Sequence, residues 1–169
     1  MTYKRTYARR LDETNIDSPT EEWKDTVDRI VKSSNDQLGC NFTTDEQDKL
    51  RYYLLSLKGT VGGRFLWQMG TSTVDRLGLS SLQNCAFTTV NDPIRPFTWA
   101  MDLLMLGSGV GYNIQRKYVD KMPPVNSDFT PPIRQDDSSA DFIVSDTREG
   151  WVSLLAKVLK AAFLSTKDN

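Results

Sequence analysis

Two side chains in this 169-residue chain could act as nucleophiles or electron carriers in water, the thiols of Cys40 and Cys85, and no histidine accompanies them. The missing imidazole removes Ser-His and Cys-His nucleophile pairs and the commonest general base. Two cysteines this far apart cannot complete a structural zinc site or a four-cysteine iron–sulfur site. What a thiol can still do is redox chemistry, and a two-electron reduction by thiols ends in a disulfide, so it needs a second sulfur. Cys40 sits in a helical region and makes a poor partner, either an incidental or a packing thiol. Cys85 heads a β-branched run, where a lone cysteine is ordinarily buried packing, and the residues alone leave its role open. The other chemical feature is Gly107-x-Gly109-x-Gly111. A dinucleotide loop follows a strand and opens a helix. Here a helix precedes and a strand follows, and no Gly-Lys-Ser/Thr marks a P-loop. Either a ligand approaches this bare backbone, or the glycines only make a tight helix-to-strand turn.

The elements that must position these groups follow from periodicity and caps. Ser18-Pro19-Thr20-Glu21 predicts a helix start with proline in the first turn, and Trp23, Val27, Ile30 and Val31 repeat at helical spacing. A second helix is expected from Thr44, turning Leu50, Tyr53, Leu54 and Leu57 inward and ending at Gly59. From Val61 the pattern changes to short extended runs and glycine-bearing loops, including the apolar stretch from Gly63 to Gly70. Asn84 to Val90 has strand character, Pro96 to Leu106 is an apolar helix, and Gly107 to Ile114 runs into a strand. Strand, helix, glycine loop and strand predict an α/β unit with parallel strands. Residues 120–145, with Pro123, Pro124, Pro131 and Pro132, predict a surface loop or insertion. Asp146-Thr147-Arg148-Glu149 caps a final helix whose apolar positions nearly encircle it, so it calls for burial on more than one side.

Bulk properties exclude several classes. Twenty-one basic against 22 acidic side chains give a net charge of −1, with no field steering toward nucleic acid or an anionic membrane. No apolar run reaches membrane-spanning length. The basic, polar start lacks a signal core, and two isolated cysteines fit a reducing cytoplasm, so a cytoplasmic location is expected. The apolar share, counted with glycine, lies a little below that of a self-contained domain, which leaves room for a core completed elsewhere.

Five stretches in order give the pattern a family likeness. They are Lys4-Arg5-Thr6-Tyr7-Ala8-Arg9 with the Glu22-Trp23 helix, Gly63-Arg64-Phe65-Leu66-Trp67, and Asn84-Cys85 leading a strand, followed by Leu104 to Ile114 and by Asp146 to Val152. Together they resemble the N-terminal part of the adenosylcobalamin-dependent (class II) ribonucleotide reductases, closest to the monomeric ribonucleoside-triphosphate reductase type. The fifth stretch matches the monomeric type and disfavours a glycyl-radical or metal-radical reductase.

The resemblance implies an α/β fold with an N-terminal helical region over 1–60 and the first segment of a ten-stranded α/β barrel over 61–119, incomplete in this chain. Residues 120–169 would form an insertion-like Pro-rich loop and C-terminal helix. It also implies reduction of ribonucleotides to deoxyribonucleotides by thiyl-radical chemistry, with two further cysteines giving up electrons and becoming a disulfide. Cys85 matches the first of that reducing pair. Phe65, Asn84, Gly109, Val110 and Gly111 match positions lining the substrate pocket, and no metal ligands are carried over. Adenosylcobalamin would be the cofactor, held mainly by the part not present. The partners implied are a ribonucleotide substrate, a deoxynucleotide effector, a thioredoxin-like reductant and a C-terminal half that brings the other cysteines. The chain is then either one half of a split enzyme completed by a second chain, to which the start at Met1 inclines, or a truncated piece of a longer one. A non-catalytic nucleotide-binding or interaction module on the same fold is the alternative.

Overall fold

The computed structural model describes residues 2–164. In chain order the helices are α1 (Thr2–Thr6), α2 (Trp23–Asp36), α3 (Thr44–Leu55), α4 (Gly63–Gln68) and α5 (Ser72–Leu77), followed by a single 3-10 turn over Leu79–Leu82. Then come β1 (Cys85–Thr89), α6 (Arg95–Met105), β2 (Gly109–Asn113), α7 (Arg116–Val119) and α8 (Arg148–Phe163). The chain divides into two compact units between Gln83 and Asn84.

The first unit is helical. Val27, Ile30 and Val31 recur on one face of α2 and bury fully against Leu54, Leu66, Met69, Val74 and Leu82. The expected cap of α2 is displaced. The helix begins at Trp23 with Glu22 as its N-cap, and the Asp25 carboxylate accepts the Glu22 amide at 2.8 Å. Thr20 is held instead in an antiparallel bridge to Arg10, and the Ser18 hydroxyl accepts the Asp12 amide at 2.9 Å, so the proline turn serves the preceding loop. A capping box between Thr43 and Glu46 starts α3.

The end of α3 also departs from expectation. Leu57, not Gly59, takes the left-handed position, at φ 55°. Its side chain is 74% exposed and Tyr53 is 43% exposed, so of the four residues expected inward only Leu54 is buried, with Leu50 packed at the core's margin. The stretch from Gly63 is helical rather than extended. Its alternate residues Arg64, Leu66 and Gln68 are buried, and a strand and a short helix show similar alternation over six residues. Gly70 closes it at φ 77°, where a Cβ would fall 2.4 Å from Ser33 Oγ, so a side chain is excluded on both counts.

The second unit follows the predicted strand, helix, glycine turn and strand. β1 and β2 pair in parallel, in the register Cys85↔Gly109, Phe87↔Gly111 and Thr89↔Asn113. Gly107, at φ 82°, makes the turn out of α6, and this is the tight-turn role foreseen for a glycine there. Helix α6 covers one face of the pair, with the Phe97 and Tyr112 rings 6.1 Å apart. Helix α6 also packs against α8, to which Asp102 is tied by an ion pair with Arg148. The Thr147 hydroxyl caps α8 by accepting the Gly150 amide at 3.0 Å. Most of residues 120–145 lack regular structure, as their prolines foretell. Ala162 is the one α8 residue among those described that is fully buried, and Trp151 is 43% exposed, so the helix has one packed side where its sequence calls for more.

Candidate active site

The site is built from strand alternation. Side chains two apart on a strand share a face, and residues in register across a pair point the same way. Cys85, Phe87 and Thr89 therefore lie on one face of β1, beside Gly109, Gly111 and Asn113 of β2. The opposite face, with Ala86, Thr88, Val110 and Tyr112, is the one turned to α6.

The thiol-bearing face is open. Cys85 is a free, exposed cysteine, against the expectation that a lone cysteine at a strand start is packing. Phe87 is 65% exposed. Asn84, also exposed, anchors the strand start, its carbonyl accepting the Gly109 amide at 2.9 Å. The two glycines of β2 differ in what they make room for. A Cβ on Gly111 would lie 3.1 Å from Cδ2 of Phe87, so the ring sits over this residue. A Cβ on Gly109 would meet nothing nearer than the Asn84 carbonyl oxygen at 3.8 Å, so the space next to the Cys85 register position is unfilled by the described residues. Glycine weakens a strand interior, and its presence there commonly marks close approach of a ligand or a second backbone. This face can offer a reactant a thiol, a flat apolar ring and bare peptide.

Of the residues singled out in the sequence, Cys85, Asn84, Gly109 and Gly111 come together here. Val110 belongs to the same strand, but its side chain takes the face toward α6 and only its backbone borders the glycines. Phe65 lies in the first unit, on α4, partly buried against that unit's core. Cys40 is exposed in the link between α2 and α3, also in the first unit, so packing does not explain it. Phe87 went unremarked in the sequence, although the two-residue step from Cys85 along a strand pointed to it.

Adenosylcobalamin carries its own cobalt ligands, so the lack of histidine does not count against it, and among the described residues no three His, Cys, Asp or Glu side chains are grouped to hold a free metal ion. Among the described residues, no helix is long and apolar enough to cross a membrane.

No family model matches the chain. It is 33% identical to the adenosylcobalamin-dependent ribonucleoside-triphosphate reductase of Euglena gracilis, an alignment covering 99% of this chain and 24% of that protein. The enzyme of the same name from Levilactobacillus brevis is 30% identical over 98% of this chain and 29% of its own length. That of Lactobacillus leichmannii is 28% identical, over all of this chain and 29% of its own. Among solved structures, a B12-dependent (class II) ribonucleotide reductase superposes with a TM-score of 0.70 at 26% identity, covering 95% of this chain and 30% of that one. The mixed fold of helices and a two-stranded parallel sheet thus resembles part of a class II reductase, and among the described residues the sheet has two strands rather than the ten expected of a barrel. Over nearly its whole length the chain is homologous to the adenosylcobalamin-dependent ribonucleoside-triphosphate reductases, and it spans about a quarter to three tenths of the length of the curated relatives it matches.

Proposed function

We propose that this chain supplies the N-terminal portion of an adenosylcobalamin-dependent ribonucleotide reductase and that Cys85 is one of its two reducing thiols. The observation that carries the reading is an exposed thiol at the head of β1, in register with a glycine whose side-chain space is empty. That arrangement stands within a chain homologous along 99% of its length to such reductases.

The reducing step is a balanced two-electron exchange. The bond from the ribose 2′-carbon to its hydroxyl oxygen breaks and the oxygen leaves as water, while a carbon–hydrogen bond forms. The electrons come from Cys85 and a second thiol, which end joined as a disulfide and are returned to thiols by exchange with an external dithiol such as a thioredoxin-like protein. Cys85 needs to face the sugar and be reachable by another sulfur, and an open, bare-backbone face meets both demands. The second thiol, the radical that opens the reaction and the cofactor belong to the length that this chain lacks, on the same polypeptide or on a partner. A deoxynucleotide effector would also be met by surfaces outside the Cys85 face.

The test is Cys85→Ser in the complete reductase. Ribonucleotide binding is expected within about twofold of the parent, while steady-state deoxynucleotide formation with added dithiol falls by at least about a thousandfold, as for loss of a covalently acting group. Unimpaired turnover would remove Cys85 from the mechanism. Turnover without adenosylcobalamin would remove the class assignment.

A further inference from the structure

The role proposed for Cys85 leaves Phe87 unused. In this chain, which spans only part of its relatives' length, the ring lies exposed on the thiol's face, two residues along. It is not left there at random. The cross-strand neighbour is Gly111, and the ring lies so close over it that a Cβ would press on Cδ2 at 3.1 Å. Gly111 has no left-handed backbone to require glycine, so the ring is the local reason for the missing side chain. At Gly109 the vacant space has no such occupant. Thiol, unfilled glycine and seated ring therefore lie along one strip of sheet.

We propose that Phe87 is a positioning residue for the reaction. Its ring, seated on Gly111, walls the space over Gly109 and packs against the apolar face of the substrate's sugar, holding the ribose 2′-carbon toward Cys85. This inference rests on the reading of Cys85 given above. The ring offers dispersion contact and no hydrogen bond, so it suits the carbon–hydrogen face of a sugar and leaves the hydroxyls to other groups.

A steady-state comparison in the complete reductase tests it. Phe87→Ala is expected to raise KM for the ribonucleotide about three- to tenfold, the worth of one aromatic contact. Its kcat should also fall, by about tenfold, because a ribose no longer held toward Cys85 is misplaced for the reducing step. Phe87→Tyr, which keeps the ring, should restore KM. Gly111→Ala, which must push the ring aside by a few tenths of an ångström, should raise KM in the parent and add nothing in the Phe87→Ala background. An unchanged KM in Phe87→Ala overturns the proposal, and so do additive effects of the two substitutions. Should Phe87→Ala and Phe87→Tyr both weaken folding or assembly of the enzyme, the ring is a packing residue and the proposal falls. The Cys85→Ser measurement separates the two levels. If that variant turns over normally, the underlying site is wrong. If it is dead while Phe87→Ala is silent, only the role of Phe87 is wrong.

Discussion

The Arg29 guanidinium lies between the Glu21 carboxylate and the carbonyls of Leu66 and Met69, so one side chain joins the N-terminal segment, α2 and α4. Its Nε donates to Glu21 Oε1 at 2.6 Å, and Glu21 also accepts from the Thr26 hydroxyl at 2.6 Å and from the Arg9 amide at 3.1 Å. Burial pushes the Glu21 carboxyl toward its neutral form, but the bonds from Arg29, Thr26 and the Arg9 amide outweigh it and hold the group below the ordinary range. A carboxylate depressed in the folded state stabilises at pH above its unfolded value of about 4.3, and the contribution fades as pH falls through the lower folded value. Arg29→Met removes the cation and leaves a buried carboxylate. The expected loss is about 3–5 kcal/mol near neutral pH and shrinks as pH falls, because a protonated Glu21 no longer needs the cation. Urea melts across a pH series check both, and a loss of the same size at acid and neutral pH would show that Arg29 does not govern Glu21.

At the scale of elements, the sequence was readable where one local rule sufficed. The β1–α6–β2 unit, the cap of α8 and the proline-rich loop each follow from β-branching, glycine, capping residues or proline. It misled where tertiary contacts decided. α4 is only six residues long, too short for a 3.6-residue period to stand apart from an alternation, and its helical state rests on burying Leu66 and Met69 with Val27 and Ile30. Leu57 takes the left-handed turn that Gly59 could have taken more cheaply. The candidate site was half legible: Cys85 and the glycines could be named, but not which face they share, since that depends on register. The sheet itself is the exposed element. Parallel strands are found with both faces covered, and two strands alone are marginal. In hydrogen exchange on this chain, the amides of β1 and β2 are expected to exchange at least about a hundredfold faster than those around Ile30 of α2, reflecting opening of a two-stranded sheet. Equal protection would mean that the second unit is stable without further strands.

For the whole molecule, incompleteness and chemistry point to the same surface. The chain matches about a quarter to three tenths of its relatives' length, and the face it leaves open is the one that carries the thiol. If that face is a substrate site completed by the remaining length, a bound ribonucleotide should shield Cys85 and leave the other cysteine alone. Cys40 is an internal control, being exposed and placed in the helical unit. In the complete reductase, alkylation by iodoacetamide followed by peptide mass spectrometry gives the rate at each thiol. Saturating ribonucleotide is expected to slow Cys85 by about tenfold or more, the occupancy effect at roughly ten times the dissociation constant, with Cys40 unchanged. In this chain alone, the same nucleotide is expected to protect neither thiol, because any contacts made by the rest of the relatives' length are not available. Protection of Cys85 in the isolated chain would show that the nucleotide site is already whole in these 169 residues, and equal shielding of both thiols would place the nucleotide's effect outside the β1–β2 face.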